Sequence, residues 1–485
     1  MMKTRSLTAL LIALLVFTLS AQPPGAAARP VAPDVLVVGG TPAGVAAAVA
    51  AARCGQSVEL VAKGRHLGGV LTDAMMDQWD LNLAGDGKAI EGGIFAEIYA
   101  RLGDSFTPDQ AAAAFDDLVA AEPRIQLVTQ AAPIAVHVDV SDTRRITSVL
   151  FRTAGMNREF SVEARYVIDA SDDGDVAALA GARFDLGRQD TGRDDRMQPV
   201  TLMFSLTGVD WDRLTAAYST VRDGFGGATE RRAWGYAKVL SAYRPSQPNV
   251  VVADLNLGHE STGGVTVNAI DVLGIDGCDY ADLARARSIA EREAPRLVAW
   301  LRGRIPGLES AQIGRYADTI YVRETRHFAG LERLTADGIW DGRIPDDSIG
   351  LSSYPLDLHP VTLDDKPAFA PIRHVYGVPF GSLVPLGFSN MILASPAISA
   401  SHLASGSARV IPTTIEEGEA AGNAAAIATK TRTDFETLAR THADIAELRT
   451  QLAGAGVILM PSPVEVSAIT AESRSRSWPT QEPEK

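Results

Sequence analysis

The stretch DVLVVGGTPAGVAAAVAAARCGQSVELVA, Asp34 to Ala62, decides the fold. Val35 to Val38 form a short apolar run of strand-forming residues, and Gly39 and Gly40 follow where the chain must turn sharply. Pro42 suits the first helical turn, in which its missing N–H has no intrahelical partner to lose. Ala43 to Ala52 are almost all Ala and Val, with Gly44 bringing the helix close to the strand. Gly55 ends the helix, and Ser57 to Val61 make a returning strand. The pattern is a dinucleotide-binding βαβ unit whose helix N-terminus offers N–H groups and partial positive charge to a pyrophosphate.

Two positions depart from that pattern. Gly39, Thr41 and Gly44 occupy the three glycine positions, so the middle glycine is missing. Thr41 must either displace the phosphates slightly or offer its hydroxyl as an extra hydrogen bond. Ala62 stands where an acid would bind the adenosine ribose, and Lys63 or Arg65 is placed to meet a phosphate instead.

A chain of 485 residues has ample length for a large core, and 21% charged with 46% hydrophobic residues is ordinary for a globular protein. The net charge of −14 argues against nucleic acid or an anionic membrane as partner. Lys3 and Arg5 precede an apolar run from Leu7 to Leu19 and the small-residue stretch Gly25 to Ala28, which reads as a secretory signal peptide over residues 1–28. The expected location is therefore secreted or periplasmic, with no integral membrane segment after cleavage. Cys54 and Cys278 are the only cysteines, too few for a four-cysteine iron–sulfur cluster. Cys54, at the end of the first helix, reads as a small buried residue.

Further segments extend the α/β reading. GRHLGGVLTD, Gly64 to Asp73, is a second glycine-bearing loop, and Glu91 to Leu102 reads as a helix opening on two glycines. Ile125 to Thr129 and Ile134 to Val138 are β-rich, and Thr147 to Thr153 with Glu159 to Ala164 read as a hairpin. RYVIDASDDGDVAALAG, Arg165 to Gly181, repeats the opening logic of strand, polar turn and small-residue helix. Its Asp172, Asp173 and Asp175 suit helix capping better than a metal. From Phe184 to Tyr376, strand-like runs at Val200 to Leu206, Val250 to Leu255 and Gly264 to Ala269 alternate with helices such as Tyr280 to Arg304. Met391 to Ala394 is again an apolar strand, Glu416 to Ala428 a small-residue helix, and Asp434 to Leu452 a last helix.

With VVGGTPAG at Val37 to Gly44, GRHLGG at Gly64 to Gly69, RYVIDASDDGD at Arg165 to Asp175 and the block from Val378 to Ala426, the chain resembles exported FAD-dependent oxidoreductases. That family has a glutathione-reductase-like fold and neighbours the flavin subunits of heterodisulfide reductases. YVRETRHFAG, Tyr321 to Gly330, and SYPLDLHP, Ser353 to Pro360, add to the resemblance. It implies an α/β fold, a Rossmann-like FAD-binding domain with an inserted α+β substrate domain built on an antiparallel sheet. The FAD-binding parts are 34–183 and 377–432, the substrate domain is 184–376, a helical segment covers 433–471 and a disordered tail 472–485.

The resemblance also implies FAD as cofactor, held by Gly39, Gly40, Thr41, Pro42, Ala43 and Gly44. On the flavin side it implies Gly68, Gly69 and Thr72, with Gly418 and Gly422 of the late helix close to the ring. Where the family has an acid, a glycine and a Gly-Arg pair, this chain has Ala62, Asp172, and Ser395 with Pro396. The implied activity is transfer of a hydride from a small organic donor to flavin. The alternative is a fold derived from a flavoprotein that has lost its cofactor and acts as a binding or structural protein.

Within the substrate region the residue types that suit this chemistry are Arg323, Glu324, Arg326, Tyr354, Asp357, His359 and His402. A planar guanidinium at Arg323 or Arg326 would clamp a substrate carboxylate or flavin carbonyl. His359, flanked by Asp357 and Pro360, and His402, in the block expected near flavin, are candidate proton acceptors because imidazole titrates near neutral pH. Arg409 is a candidate phosphate ligand.

Overall fold

In the computed structural model, residues 32–84, 87–141, 144–155, 157–221, 226–372 and 374–461 are described. The leader at 1–28 and the tail at 472–485 lie outside them. Val35–Val38 forms the central strand of a five-stranded parallel sheet. Val58–Val61 and then Ile125–Val128 lie on one side of it, Tyr166–Asp169 and then Met391–Leu393 on the other. The central strand is buried at all four positions, which explains why its sequence is apolar throughout instead of alternating.

The helix that follows runs from Pro42 to Arg53 and buries every residue but the last. It packs on the sheet and, along its other side, against the 21-residue helix Ile411–Thr431. The two helices approach so closely that a methyl group added at Gly418 would lie 2.1 Å from the Ala43 carbonyl oxygen, and one at Gly422 2.3 Å from that of Ala47. Their spacing of four residues puts both glycines on one helix face. Small residues here bring two backbones into contact.

The region between the halves of the parallel sheet carries a six-stranded antiparallel sheet containing Phe204–Thr207, Asn256–His259, Val265–Asn268 and Gln312–Tyr316. The helix Tyr280–Arg302 lies between its strands in sequence, and its Asp279 side chain accepts from the Ala281 N–H as an N-cap. The expected hairpin is present, Arg145–Thr153 pairing with both Ala131–Asp139 and Glu159–Val162.

Several local expectations are corrected. The run Val200 to Leu206 is two strands, Val200–Thr201 and Phe204–Thr207, in different sheets. In Val250 to Leu255 only Val250–Val251 is strand. The last helix is two, Phe435–Arg440 and His442–Gly454, because Thr441 takes an extended backbone with ψ of 106°. Cys54 is exposed, since the helix it caps ends at the surface.

Candidate cofactor and substrate site

The first turn of the Pro42–Arg53 helix sets the site. Gly39 has φ of +126°, and a methyl group there would lie 2.2 Å from the Ala170 carbonyl oxygen and 2.7 Å from the Ser171 nitrogen. The turn after the first strand is thus pressed against the loop after Tyr166–Asp169. Thr41 caps the helix: its Oγ1 accepts from the Gly44 N–H at 3.0 Å and donates to the Ala170 carbonyl at 2.9 Å. The hydroxyl's donor is therefore engaged inside the protein, which removes the expected extra hydrogen bond to a phosphate. Pro42 has no N–H, so the Ala43 N–H is the helical donor left open at this end.

A cavity of about 600 Å³ begins at this turn. Gly39 to Ala43 line it, together with Gly69, and it runs to the N-terminal residues Val410, Ile411 and Thr414 of the late helix. Gly44, Gly68 and Thr72 do not line it. The Gly44 N–H is held by Thr41, Gly68 packs on Phe115, and the Thr72 hydroxyl donates to the Gly69 carbonyl at 3.1 Å. Gly418 and Gly422 are one to three turns further along their helix, at the contact with Ala43 and Ala47. The helix does meet the cavity, by its N-terminus.

Of the four candidate catalytic residues, Arg323 lines the cavity and Arg326, His359 and His402 do not. Arg323 is 3% exposed, donates to Thr201 Oγ1 at 2.7 Å and to the Pro199 carbonyl at 2.9 Å, and pairs with Asp271 at 3.2 Å. Asp271 in turn lies 2.6 Å from His359 Nδ1. Burial would raise the Asp271 carboxyl, but Arg323 and His359 overrule it and bring it down to about 2. On the other side of the imidazole, Asp357 is 3.8 Å from His359 Nε2 and 3.3 Å from Arg409 Nη2. His359 thus sits inside a chain of ionisable side chains whose two ends, Arg323 and Arg409, line the cavity.

His402 belongs to a second buried group. Its Nδ1 lies 2.6 Å from Glu324 Oε1, and His327 Nε2 lies 2.8 Å from the same oxygen. Burial would raise the Glu324 carboxyl, yet the two imidazoles hold it below the usual carboxylate range. Glu324 lines the cavity and the histidines stand behind it. Arg326 is engaged elsewhere, donating to the Asp173 carbonyl at 2.8 Å and to Asp175 at 3.2 Å.

Asp80 is the residue that sequence reasoning missed. It lines the cavity with Tyr321 and Arg409, and its side chain is exposed. Desolvation by the surrounding cavity walls, opposed by Arg409, holds its carboxyl above the ordinary range. The segment between Met75 and Leu83 is irregular, with isolated bridges at Gln78 and Leu83 only, so no periodicity marked it. Tyr321 Oη accepts from Arg409 Nη1 at 2.8 Å while the Arg323 guanidinium lies 4.9 Å from its ring centroid. One tyrosine therefore ties together two arginines of the cavity lining.

Asp172 and Asp173 also face the cavity, next to the glycine turn. They neither cap the short helix Asp175–Leu179 nor form a metal site: Ser171 Oγ accepts from the Asp175 N–H at 2.7 Å. Among the described residues no group of three His, Cys, Asp or Glu side chains is arranged to hold a metal ion.

The model of a family described as FAD dependent oxidoreductase matches residues 34–452. No curated protein matches the chain. Among solved structures, p-nitrophenol 4-monooxygenase PnpA from Pseudomonas putida DLL-E4 is similar at 12% identity, covering 91% of this chain and 90% of that one, with a TM-score of 0.42. A geranylgeranyl bacteriochlorophyll reductase-like protein from Thermoplasma acidophilum is similar at 13% identity, covering 91% and 96%, with a TM-score of 0.40. The myxobacterial chondrochloren halogenase CndH is similar at 14% identity, covering 87% and 79%, with a TM-score of 0.42.

Proposed function

Since the chain belongs to the FAD-dependent oxidoreductase family, we propose that it oxidises a small organic donor bound in the cavity beside Tyr321, Arg323 and Arg409, where bound FAD would supply the hydride acceptor. The family match supports FAD over the cofactor-less alternative. The residues present suit it. The open Ala43 N–H and the N-terminus of its helix face one part of the cavity, the N-terminus of Ile411–Thr431 faces another, and the space between them is continuous. That continuity, from the glycine turn to Asp80, Tyr321, Arg323 and Arg409, is the observation that carries the reading.

When bound, FAD supplies two-electron redox chemistry, and the protein must orient the donor and accept its proton. Arg323 is fixed by the buried Thr201 and Asp271 and Arg409 by the half-buried Tyr321 and Asp357, so neither loses much freedom on meeting a donor oxygen or carboxylate. The sequence-based choice of His359 or His402 as proton acceptor gives way to Asp80. His359 is turned toward Asp271 and His402 toward Glu324, and neither imidazole lines the cavity. Asp80 lines the cavity with an exposed side chain, and its carboxyl is held above the ordinary range, which suits a general base. His359 acts at one remove, as a positioning residue between Asp271 and Asp357.

Anaerobic mixing of the flavin-loaded protein with small alcohols, amines and hydroxy acids tests the reading. Bleaching of the flavin band by one of these donors is expected, and bleaching by NADH or NADPH alone would contradict it. With the donor found, Asp80→Asn is expected to retain FAD and to slow flavin reduction by about 10²-fold or more, as loss of a general base does. Reduction at the unaltered rate would remove Asp80 from the chemistry. Export is part of the same proposal: mass spectrometry of the expressed protein should find the first 28 residues removed, and an intact N-terminus in the extracytoplasmic fraction would count against it.

A further inference from the structure

We propose that Asp172 and Asp173 meet the FAD pyrophosphate as neutral carboxylic acids, so that FAD binding takes up protons and FAD affinity falls as pH rises. This rests on FAD occupying the cavity at Gly39 to Ala43. The geometry ties the acids to that turn. Gly39 is pressed on the backbone of Ala170 and Ser171, and the Thr41 hydroxyl donates to the Ala170 carbonyl at 2.9 Å. The loop that bears Asp172 is thereby fixed to the turn that bears the open Ala43 N–H. Asp172 and Asp173 line the same cavity as that turn.

The charged groups around them leave little to offset a pyrophosphate. From the loop after the second strand comes Lys63, whose ammonium lies over the Tyr280 ring at 4.7 Å. Asp175, in the short helix that follows, adds a third carboxylate, and Arg326 commits its Nη1 to the Asp173 carbonyl and to Asp175. From the loop before Tyr280–Arg302, Cys278 faces the acids with a thiol pushed up to about 12, first by burial and then by Asp173. Asp276 stands behind that thiol. Thr325 donates to Asp173 Oδ1 at 2.9 Å. Lys63 is thus the cation best placed to answer two phosphate charges, against three aspartates. Ionised, Asp172 and Asp173 would repel the pyrophosphate; protonated, each gains an O–H that donates to a phosphate oxygen.

Asp172 has exposed surface and Asp173 is half-buried, yet both line the cavity. Desolvation by the surrounding walls, with Asp173 beside it, raises the Asp172 carboxyl to about 7 and, with Asp175 beside it, raises Asp173 to about 6. The pyrophosphate keeps its charges throughout this range, so the acids are the groups that change. The sign follows: the bound form holds more protons than the free form, so affinity is greatest below about pH 6 and is lost as pH rises.

Titration of flavin-stripped protein with FAD, read by flavin fluorescence between pH 5.5 and 8.5, tests this. The dissociation constant should rise about tenfold or more from pH 6 to pH 8. Asp172→Asn should flatten that dependence, and Asp172→Gly should bind FAD more tightly than the unaltered protein at pH 8. Calorimetry in buffers of different ionisation enthalpy should show net proton uptake at pH 7. Tight binding that does not vary with pH, or a slope unchanged in both variants, overturns the proposal alone. FAD uptake by none of the three proteins at any pH overturns it together with the cofactor site on which it rests.

Discussion

Replacing Gly39 by valine is expected to give a protein that retains no FAD and unfolds at markedly lower temperature. The first atom of the new side chain would lie 2.2 Å from the Ala170 carbonyl oxygen and 2.7 Å from the Ser171 nitrogen, both backbone atoms that no rotamer change can move. A φ of +126° adds strain of about 1–3 kcal/mol for any residue with a branched side chain. Relief requires the paired strands Val35–Val38 and Tyr166–Asp169 to part, and the phosphate-facing turn moves with them. The total loss should be about 3 kcal/mol or more. Gly55→Ala is the matched control. It also has positive φ, at +87°, yet nothing lies within 4 Å of the added methyl group. It should cost about 1 kcal/mol and keep its flavin. Equal behaviour of the two variants in thermal melts and flavin content would show that strain, and not the collision with the Ala170 loop, matters at Gly39.

A second large effect is expected in the pH dependence of stability, measured without flavin to separate it from cofactor binding. Asp77 and Glu417 are fully buried, and among the described residues no donor meets either carboxylate in good hydrogen-bond geometry. Burial raises Asp77 to about 7 and Glu417 well above its ordinary range. Glu91, at about 7, and Glu416, raised well above its ordinary range by burial and then by Glu91, behave alike. In the unfolded chain these groups ionise near pH 4. From about pH 4 upward the folded state therefore binds more protons than the unfolded state, and stability falls as pH rises through the folded values near 7. Asp271 acts in the opposite sense: held at about 2, its contribution is present above pH 4 and is lost only in strong acid. Every tenfold change in a carboxyl's proton affinity on folding is worth about 1.4 kcal/mol. The melting temperature should accordingly be at least about 5 °C higher at pH 5 than at pH 8. Asp77→Asn combined with Glu417→Gln should shrink that difference. A melting temperature that is flat or rises over this interval would mean that these carboxyls are ionised in the folded protein.

Much of the fold can be read from the chain because its decisive contacts are local. The strand, turn and helix from Val35 to Arg53 need only apolar residues, a glycine turn and small side chains in sequence. The late helix is equally visible as a run of small residues, but its neighbour is not. Gly418 and Gly422 suit close approach to a flavin ring as well as to a second helix, and the structure gives them the helix. The histidines are visible as titratable groups, whereas their partners are far away in sequence: Asp271 for His359 and Glu324 for His402. Asp357, two residues before His359 in the sequence, is drawn toward Arg409 instead. Asp80 could not be found, because its segment has no repeating pattern and gains its meaning only from Tyr321 and Arg409 across the cavity. Asp172 is visible as a departure from the family pattern, and the cavity explains why that departure matters.

The central claim is that one FAD lies along the cavity from Gly39 to Arg409. Equilibrium titration of the purified protein with FAD at pH 6, followed by gel filtration and absorbance, tests it most directly. The account predicts a yellow protein carrying one flavin per chain, with an absorbance band shifted from that of free FAD. A colourless protein that leaves all of the FAD in the small-molecule fraction would contradict it.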